Sequence, residues 1–486
     1  MAGFAPTQVR GFVMGPVFLL IVLILPAPEG MTAAAWMTAG IAGLMATWWM
    51  TEAIPIPATA LLPLVLFPLV DAGSMRETAS PFADPIIFLF LGGFLIALAM
   101  ERWNLHRRIA LNVIARVGTG PAALVGGFML AAALISMWVS NTATALMMLP
   151  VALSVVQVAG AGGERGNFQV ALLLGLAYGC NIGGMATLVG TPPNALLAGF
   201  MASEYGVTLS FANWLGVGLP IVAVGLPLAF VVLTRFTYPL SSRPVEGAAE
   251  SVRAELAAMG RVSKQEWLVG FVFAVTALLW VTRPLLLNIV PSLSDAGIAM
   301  AAGVALFVIP SDFREGEFLM DWKTATRVPW GTLLLFGGGL SLAGAFTRTG
   351  LSTWIGESLA GLGGLPVILI LLVVIVLVVF LTELTSNAAT TATLLPVIAA
   401  MAIGIGQNPM LLAIPAVLSA SCAFMLPVAT PPNAIVFGSE RVTIPQMARS
   451  GFWLNLCFIV LLTAAAYTLV MWVFGVQAGV VPDWAG

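Results

Sequence analysis

Two motifs that each occur twice constrain this chain more than anything else in it. Ser140-Asn141-Thr142-Ala143-Thr144 returns as Ser386-Asn387-Ala388-Ala389-Thr390, 246 positions on (386 against 140). Thr191-Pro192-Pro193-Asn194-Ala195 returns as Thr430-Pro431-Pro432-Asn433-Ala434, 239 positions on (430 against 191). All four are polar, helix-breaking stretches set in very apolar sequence. Of the 486 residues 60% are hydrophobic and only 8% charged, where a soluble domain carries roughly 25% charged residues. The chain reads as an all-α polytopic membrane protein. In a bilayer, broken helices persist only where they are buried in protein or line a watery cavity. A matched pair of breaks in two halves is the sequence mark of a transporter's binding site.

Apolar runs of about 20 residues, the length of a span, cover roughly 12–28, 32–51, 54–70, 84–101, 168–202, 211–235, 266–290, 295–310, 330–348, 410–440 and 451–475. These are eleven transmembrane helices. Two more apolar stretches, 121–160 and 364–405, are interrupted by the Ser-Asn motifs near their middles and read as re-entrant hairpins. The first run follows Arg10 and resembles a signal peptide, but the runs after it favour an uncleaved first span.

Charge placement orients the chain. With the N-terminus cytoplasmic, 16 of the 19 Lys+Arg fall inside, leaving Arg76, Arg283 and Arg348 outside. The positive-inside rule favours this arrangement and an external C-terminus. Spans two to six and seven to eleven then form inverted-topology repeats, and Phe90-Leu91-Gly92-Gly93 matches Phe336-Gly337-Gly338-Gly339 before each hairpin. The two hairpins enter from opposite sides, so their tips can meet near the midplane.

The stretch Arg243 to Lys264 reads as a cytoplasmic linker with a short amphipathic helix, and 102–117 and 349–360 as interfacial helices carrying the hairpins. The expected organisation is 1–116 scaffold, 117–236 transport domain, 237–348 linker and scaffold, and 349–486 transport domain. His106, the sole histidine, is expected at the interfacial surface in its Arg-rich stretch. Cys180, Cys422 and Cys457 lack metal or disulfide spacing. Two lysines and no basic cluster with aromatics exclude nucleic acid as a partner.

The hairpin tips supply Ser136, Ser140, Asn141 and Thr142 in one half and Thr382, Thr385, Ser386 and Asn387 in the other. Hydroxyls, carboxamide oxygens and freed carbonyls are hard donors suited to an alkali cation. The Pro-Pro pairs leave helical carbonyls unpaired, and half-helix N-termini present N–H groups and positive dipole to an anion. From Val117 to Thr234 the only Lys or Arg is Arg165, and from Thr349 to Glu440 there is none. An anion in this site has no fixed cation to balance it, and a charge at the bilayer centre costs about 2.5–3.5 kcal/mol on insertion scales. Co-bound cations would lower that cost, so the residues point to an anion–cation symporter; a neutral substrate with a cation remains a second reading. A Ser/Thr/Asn cluster in a membrane helix also serves as an interhelical contact, but duplication beside a second duplicated break argues for a site. Glu383, the one acid in either Ser-Asn hairpin, suits either an ion-site or proton role or a structural hydrogen bond. Glu52 is read as capping the turn before Pro55 and Pro57.

At these motifs nearly the whole chain resembles the divalent anion:sodium symporter family, the INDY-type di- and tricarboxylate transporters. That resemblance implies a homodimeric inner-membrane elevator importing C4 dicarboxylates (succinate, malate, fumarate) with Na+. It implies a first sodium site at Ser136, Ser140, Asn141 and the Gly190 carbonyl, and a second at Thr382, Thr385, Asn387 and Ala429. Substrate carboxylates are implied at Ser140, Asn141, Thr142, Ser386 and Asn387, with Thr191, Pro192, Thr430 and Pro431 lining the pocket. Ala388 departs from the pattern, because a hydroxyl is expected at the third position of the motif. A sodium-independent dicarboxylate exchanger, or a carrier of citrate or sulfate, is the alternative. No Ser-His, Ser-Lys or paired-Asp constellation supports an enzyme.

Overall fold

Every backbone N–H and C=O in a bilayer needs a partner within the protein, and helices supply it locally. The computed structural model describes residues 4–159, 164–241, 244–245, 247–312 and 314–485 and is almost wholly helical. Helices α1 (Pro6–Ile24) and α2 (Ala33–Thr51) lie against each other. The apolar run 54–70 follows as two short pieces, α3 (Ile56–Thr59) and α4 (Leu62–Leu69), each with proline in its first turn. A Ser74–Glu77 capping box then starts α5 (Met75–Ala79).

Two matched series follow. The first is α6 (Pro85–Arg102), α7 (Leu105–Arg116), α8 (Pro121–Ser136), α9 (Asn141–Ala159), α10 (Glu164–Gly184), α11 (Pro192–Tyr205) and α12 (Phe211–Val231), which a π-helical segment prolongs to Thr237. Between the series lie α13 (Ala248–Ala258), α14 (Lys264–Leu286), α15 (Asp295–Val308), the small antiparallel pair β1 (Pro310–Asp312) and β2 (Glu317–Phe318), and α16 (Trp322–Ala325). The second is α17 (Trp330–Thr349), α18 (Leu351–Leu359), α19 (Val367–Thr382), α20 (Asn387–Gly404), α21 (Pro409–Ala420), α22 (Pro431–Phe437) and α23 (Ile444–Ala465), continued through a π-helical segment to α24 (Met471–Phe474). The succession is the same in both: long helix, short amphipathic helix, hairpin, then a helix broken at Thr-Pro-Pro-Asn and a closing helix.

Among the described residues, eight helices are long and apolar enough to cross a membrane, fewer than the eleven apolar runs. Part of the difference lies in the breaks, and part in α2 and α15, unbroken helices that fall short in hydropathy or in length. Runs 168–202 and 410–440 are each two pieces separated by unwound chain, which a hydropathy window passes over. Two of the eight, α9 and α20, are hairpin return arms. Their partner arms α8 and α19 have 16 residues each, or about 24 Å at 1.5 Å per residue, short of a ~30 Å hydrocarbon core.

The linker helix forms as expected at α13, although Arg243 lies outside the described residues. It is tied to α7 by an Arg107–Glu255 ion pair and to α9 by Ser154 and Ser251, whose hydroxyls are 2.8 Å apart. The expectation for His106 is corrected: it is 5% exposed, with Nδ1 3.0 Å from the Met100 carbonyl. Amphipathic α7 turns this residue inward although its neighbours are arginines, and burial holds the imidazole below its usual pKa.

The duplicated glycines close the packing behind the site. A Cβ on Gly92 would sit 2.5 Å from the backbone carbonyl of Ala299 on α15, and one on Gly338 would sit 2.3 Å from the Ala60 oxygen. Each lets a helix meet backbone directly, the small-residue contact that drives association in lipid. Gly92→Val should therefore destabilise the protein by about 1–3 kcal/mol, the usual cost of overpacking, seen as a lower melting temperature in detergent by intrinsic fluorescence.

Candidate functional site

The first break is a stretch of freed backbone held open by side chains. α10 ends at Gly184 and α11 starts at Pro192, because two consecutive prolines cannot continue an incoming helix. Asn194 Nδ2 donates to the carbonyls of Thr187 (2.8 Å) and Gly184 (3.4 Å), and Trp214 Nε1 donates to that of Met185 (3.1 Å). Thr187 Oγ1 donates to the Met137 carbonyl at the hairpin turn, which ties break and hairpin together. At the tip, Ser140 Oγ caps α9 by accepting from Ala143 N at 3.2 Å, and Ser136 Oγ donates to Asn141 Oδ1. The methyl position that Gly184 leaves empty is 2.9 Å from Asn141 Oδ1 and 3.1 Å from the Gly190 oxygen. Hard oxygens thus converge on a space that any side chain at 184 would fill.

The second break repeats the plan with different parts. Asn433 Nδ2 donates to the carbonyls of Ala423 (3.1 Å) and Leu426 (3.0 Å). Thr382 Oγ1 lies 2.8 Å from both Asn387 Oδ1 and the Ala420 carbonyl. Thr385 Oγ1 meets the Leu381 carbonyl (2.9 Å) and Thr390 Oγ1 (2.6 Å). Glu383 is 3% exposed and spans the unwound chain. Its carboxylate accepts from the backbone N–H groups of Phe424 (2.8 Å), Met425 (2.9 Å) and Leu426 (3.1 Å), and from Asn455 Nδ2 (2.8 Å). Of its two roles, the structural one is visible here. Its sequence signal was position, since an acid inside a hairpin facing a helix break needs donors.

Both tips and both breaks line one cavity of about 910 Å³. Ser140, Asn141, Thr142, Thr191 and Pro192 face Ser386, Asn387, Ala388, Thr430 and Pro431 around it, with Gly190 and Ala429 beside them. Ser136, Thr382 and Thr385 are buried behind the tips. The charged lining residues, Glu52, Glu101 and Arg327, stand away from the tips, with Arg327 3.5 Å from Glu101. Glu52 ends α2 in a left-handed conformation (φ 48°) and contributes to that mouth. The lining follows α6 from Phe90 to Glu101, toward the arginine-rich end of the helix, where Glu52 and Arg327 are exposed. Sequence reasoning passed over Asn194 and Asn433 as hydrogen-bonding residues, although both stand in the doubled motif.

Residues 7–476 match the transmembrane region of sodium:sulfate symporters. The chain belongs to that family. It is 40% identical to the sodium-dependent dicarboxylate transporter SdcS of Staphylococcus saprophyticus over 481 residues, 97% of this chain and 93% of the relative. The SdcS protein of Staphylococcus aureus is also 40% identical, over 485 residues, 98% of this chain and 93% of its own length. The crystal structure of the Alcanivorax borkumensis YdaH transporter superposes with a TM-score of 0.57 at 14% identity, covering 97% of this chain and 99% of that one. That likeness is one of fold. Like its symporter relatives, the protein is a multi-pass membrane transporter and not an enzyme.

The Glu383 contacts carry a direct consequence. Glutamine there keeps one acceptor oxygen and turns an NH2 group toward backbone donors. Charge-assisted hydrogen bonds contribute about 1.5–3 kcal/mol each, so Glu383→Gln should lower the melting temperature of purified protein by several degrees in a thermal-shift assay.

Proposed function

We propose that this protein imports C4 dicarboxylates with sodium across a bacterial inner membrane. The observation that carries the reading is the meeting of both hairpin tips and both helix breaks around one cavity whose charged residues lie at its mouth. A dicarboxylate there meets hydroxyls, carboxamides and the N-termini of α9 and α20, which favour negative charge. It meets no guanidinium at the tips, so the balancing charge has to arrive with it. The space beside Gly184, within reach of Asn141 Oδ1 and the Gly190 carbonyl, fits an alkali cation, since these donors are neutral hard oxygens. The relatives named sodium-dependent dicarboxylate transporters support the same ion and substrate class.

In this reading Ser136, Ser140, Asn141 and Gly190 hold one sodium ion, and Thr382, Thr385, Asn387 and Ala429 a second. Binding of the cations straightens the tips and lowers the desolvation cost of the anion, and the anion does the same for the cations. Residues 117–236 and 349–486, with α8 to α12 and α18 to α24, then travel together against a scaffold of the remaining spans in a homodimer, as an elevator. With the arginine-rich face cytoplasmic, the cavity described above is the inward-facing one. The Ala388 methyl, at the motif position that Thr142 holds in the first repeat, removes a hydroxyl donor and favours as a second reading a larger or differently shaped carboxylate such as citrate.

Uptake of radiolabelled succinate into proteoliposomes with sodium, lithium or potassium outside, competed by unlabelled citrate and sulfate, separates the two. Sodium-dependent succinate uptake that Asn141→Ala and Asn387→Ala each abolish is the expected result; normal uptake by both variants sinks the site assignment. Gly184→Ala should fold yet raise the half-saturating sodium concentration about tenfold or more, the loss of ~1.4 kcal/mol of ion binding.

A further inference from the structure

The two Thr-Pro-Pro-Asn asparagines are alike in what their amide nitrogens do and unlike in what their oxygens do. Each nitrogen donates to carbonyls of its own break, Asn194 to Thr187 and Asn433 to Ala423 and Leu426. Asn433 Oδ1 accepts from Asn181 Nδ2 at 3.3 Å. Asn194 Oδ1 is buried, and no donor among the described residues meets it. The motif spacing pairs position 181 with position 420, which is alanine (181 against 420, as 191 against 430). The second repeat therefore carries no side-chain donor at the position that serves the first.

Asn181 is 2% exposed and lies on α10 of the first repeat, three residues before Gly184. Among the described residues all its side-chain hydrogen bonds are with the second repeat. Nδ2 also donates to the Ala423 carbonyl at 3.0 Å, and Oδ1 accepts from Thr430 Oγ1 at 3.5 Å. Ala423 and Thr430 bracket the unwound segment that ends in Ala429. Thus one side chain, set by the end of α10 that closes the first cation cradle, holds the backbone and a cavity hydroxyl of the second break. A buried amide whose partners all belong to one opposing segment transmits position, because moving it leaves several groups unpaired at once.

We propose that Asn181 is a positioning residue coupling the two sodium sites, so that ordering the first break around its ion shapes the second for binding. The inference rests on the sodium-coupled reading above. A residue that only braced the fold would change the amount of active protein or its maximal rate. A coupling residue changes the shape of the sodium dependence.

Succinate uptake by proteoliposomes is measured against external sodium for wild type, Asn181→Ala and Asn181→Ser, with folding checked by size-exclusion profile and melting temperature. For Asn181→Ala the half-saturating sodium concentration should rise about threefold or more, and the Hill coefficient should fall toward one. The maximal rate at saturating sodium should stay within about twofold of wild type, as expected when coupling and not the site itself is lost. Asn181→Ser, which keeps a donor, should fall between, and it carries the test if the alanine variant does not fold. A sodium curve superimposable on wild type, or a lower maximal rate with unchanged half-saturation and Hill coefficient, overturns the coupling. Wild-type uptake that is indifferent to sodium overturns the sodium reading and this inference with it.

Discussion

The structure depends on how the backbone groups freed at two helix breaks are satisfied. A Pro-Pro pair in the middle of a bilayer strands carbonyls and N–H groups that lipid cannot solvate. Here Asn194 and Trp214 take up carbonyls of the first set. Asn433 and Glu383 take up the second, and Glu383 alone meets three consecutive N–H groups. The carbonyls of Gly190 and Ala429 stay beside the cavity only because the rest of each break is tied down. The hairpins are fastened to the same segments, through Thr187 on one side and Thr382 on the other.

Charge explains why such a site needs this framework. The tips are neutral, and the cavity's charged residues lie at its mouth. Selectivity then has to come from oriented dipoles, which are strong only when they are fixed. Fully satisfied polar networks provide that rigidity, and in a low dielectric a missing partner is costly. Among the described residues the oxygen of Asn194, like Ser421 Oγ and Asn455 Oδ1, lacks a partner, and at Asn194 the two repeats cease to be equivalent, because Asn433 Oδ1 has one.

Much of this was legible in the residues. Both hairpins, both breaks, the interfacial helices and the linker helix could be placed from apolar runs and the doubled motifs. The nine residues grouped as substrate-binding or lining, and Ala388 with them, all border the same cavity. Where the helices stop inside runs 168–202 and 410–440 was not legible from hydropathy, which sums composition and does not register a proline pair inside an apolar run. His106 was misplaced for a similar reason: its arginine neighbours suggested a surface, but helical periodicity turned one residue of that stretch inward.

The sequence by itself determined that the chain is helical, that it spans a membrane, and that two broken elements recur in two halves. Those properties follow from local causes, namely hydropathy, missing proline N–H groups and repetition. Only the tertiary structure decided which oxygens converge beside Gly184, that Glu383 spans the second break, and that Asn181 reaches across to Asn433 while Ala420 leaves Asn194 unanswered. These are contacts between residues up to 252 positions apart. They arise because the packing of one repeat against the other brings the breaks together, and no local pattern along the chain encodes that distance.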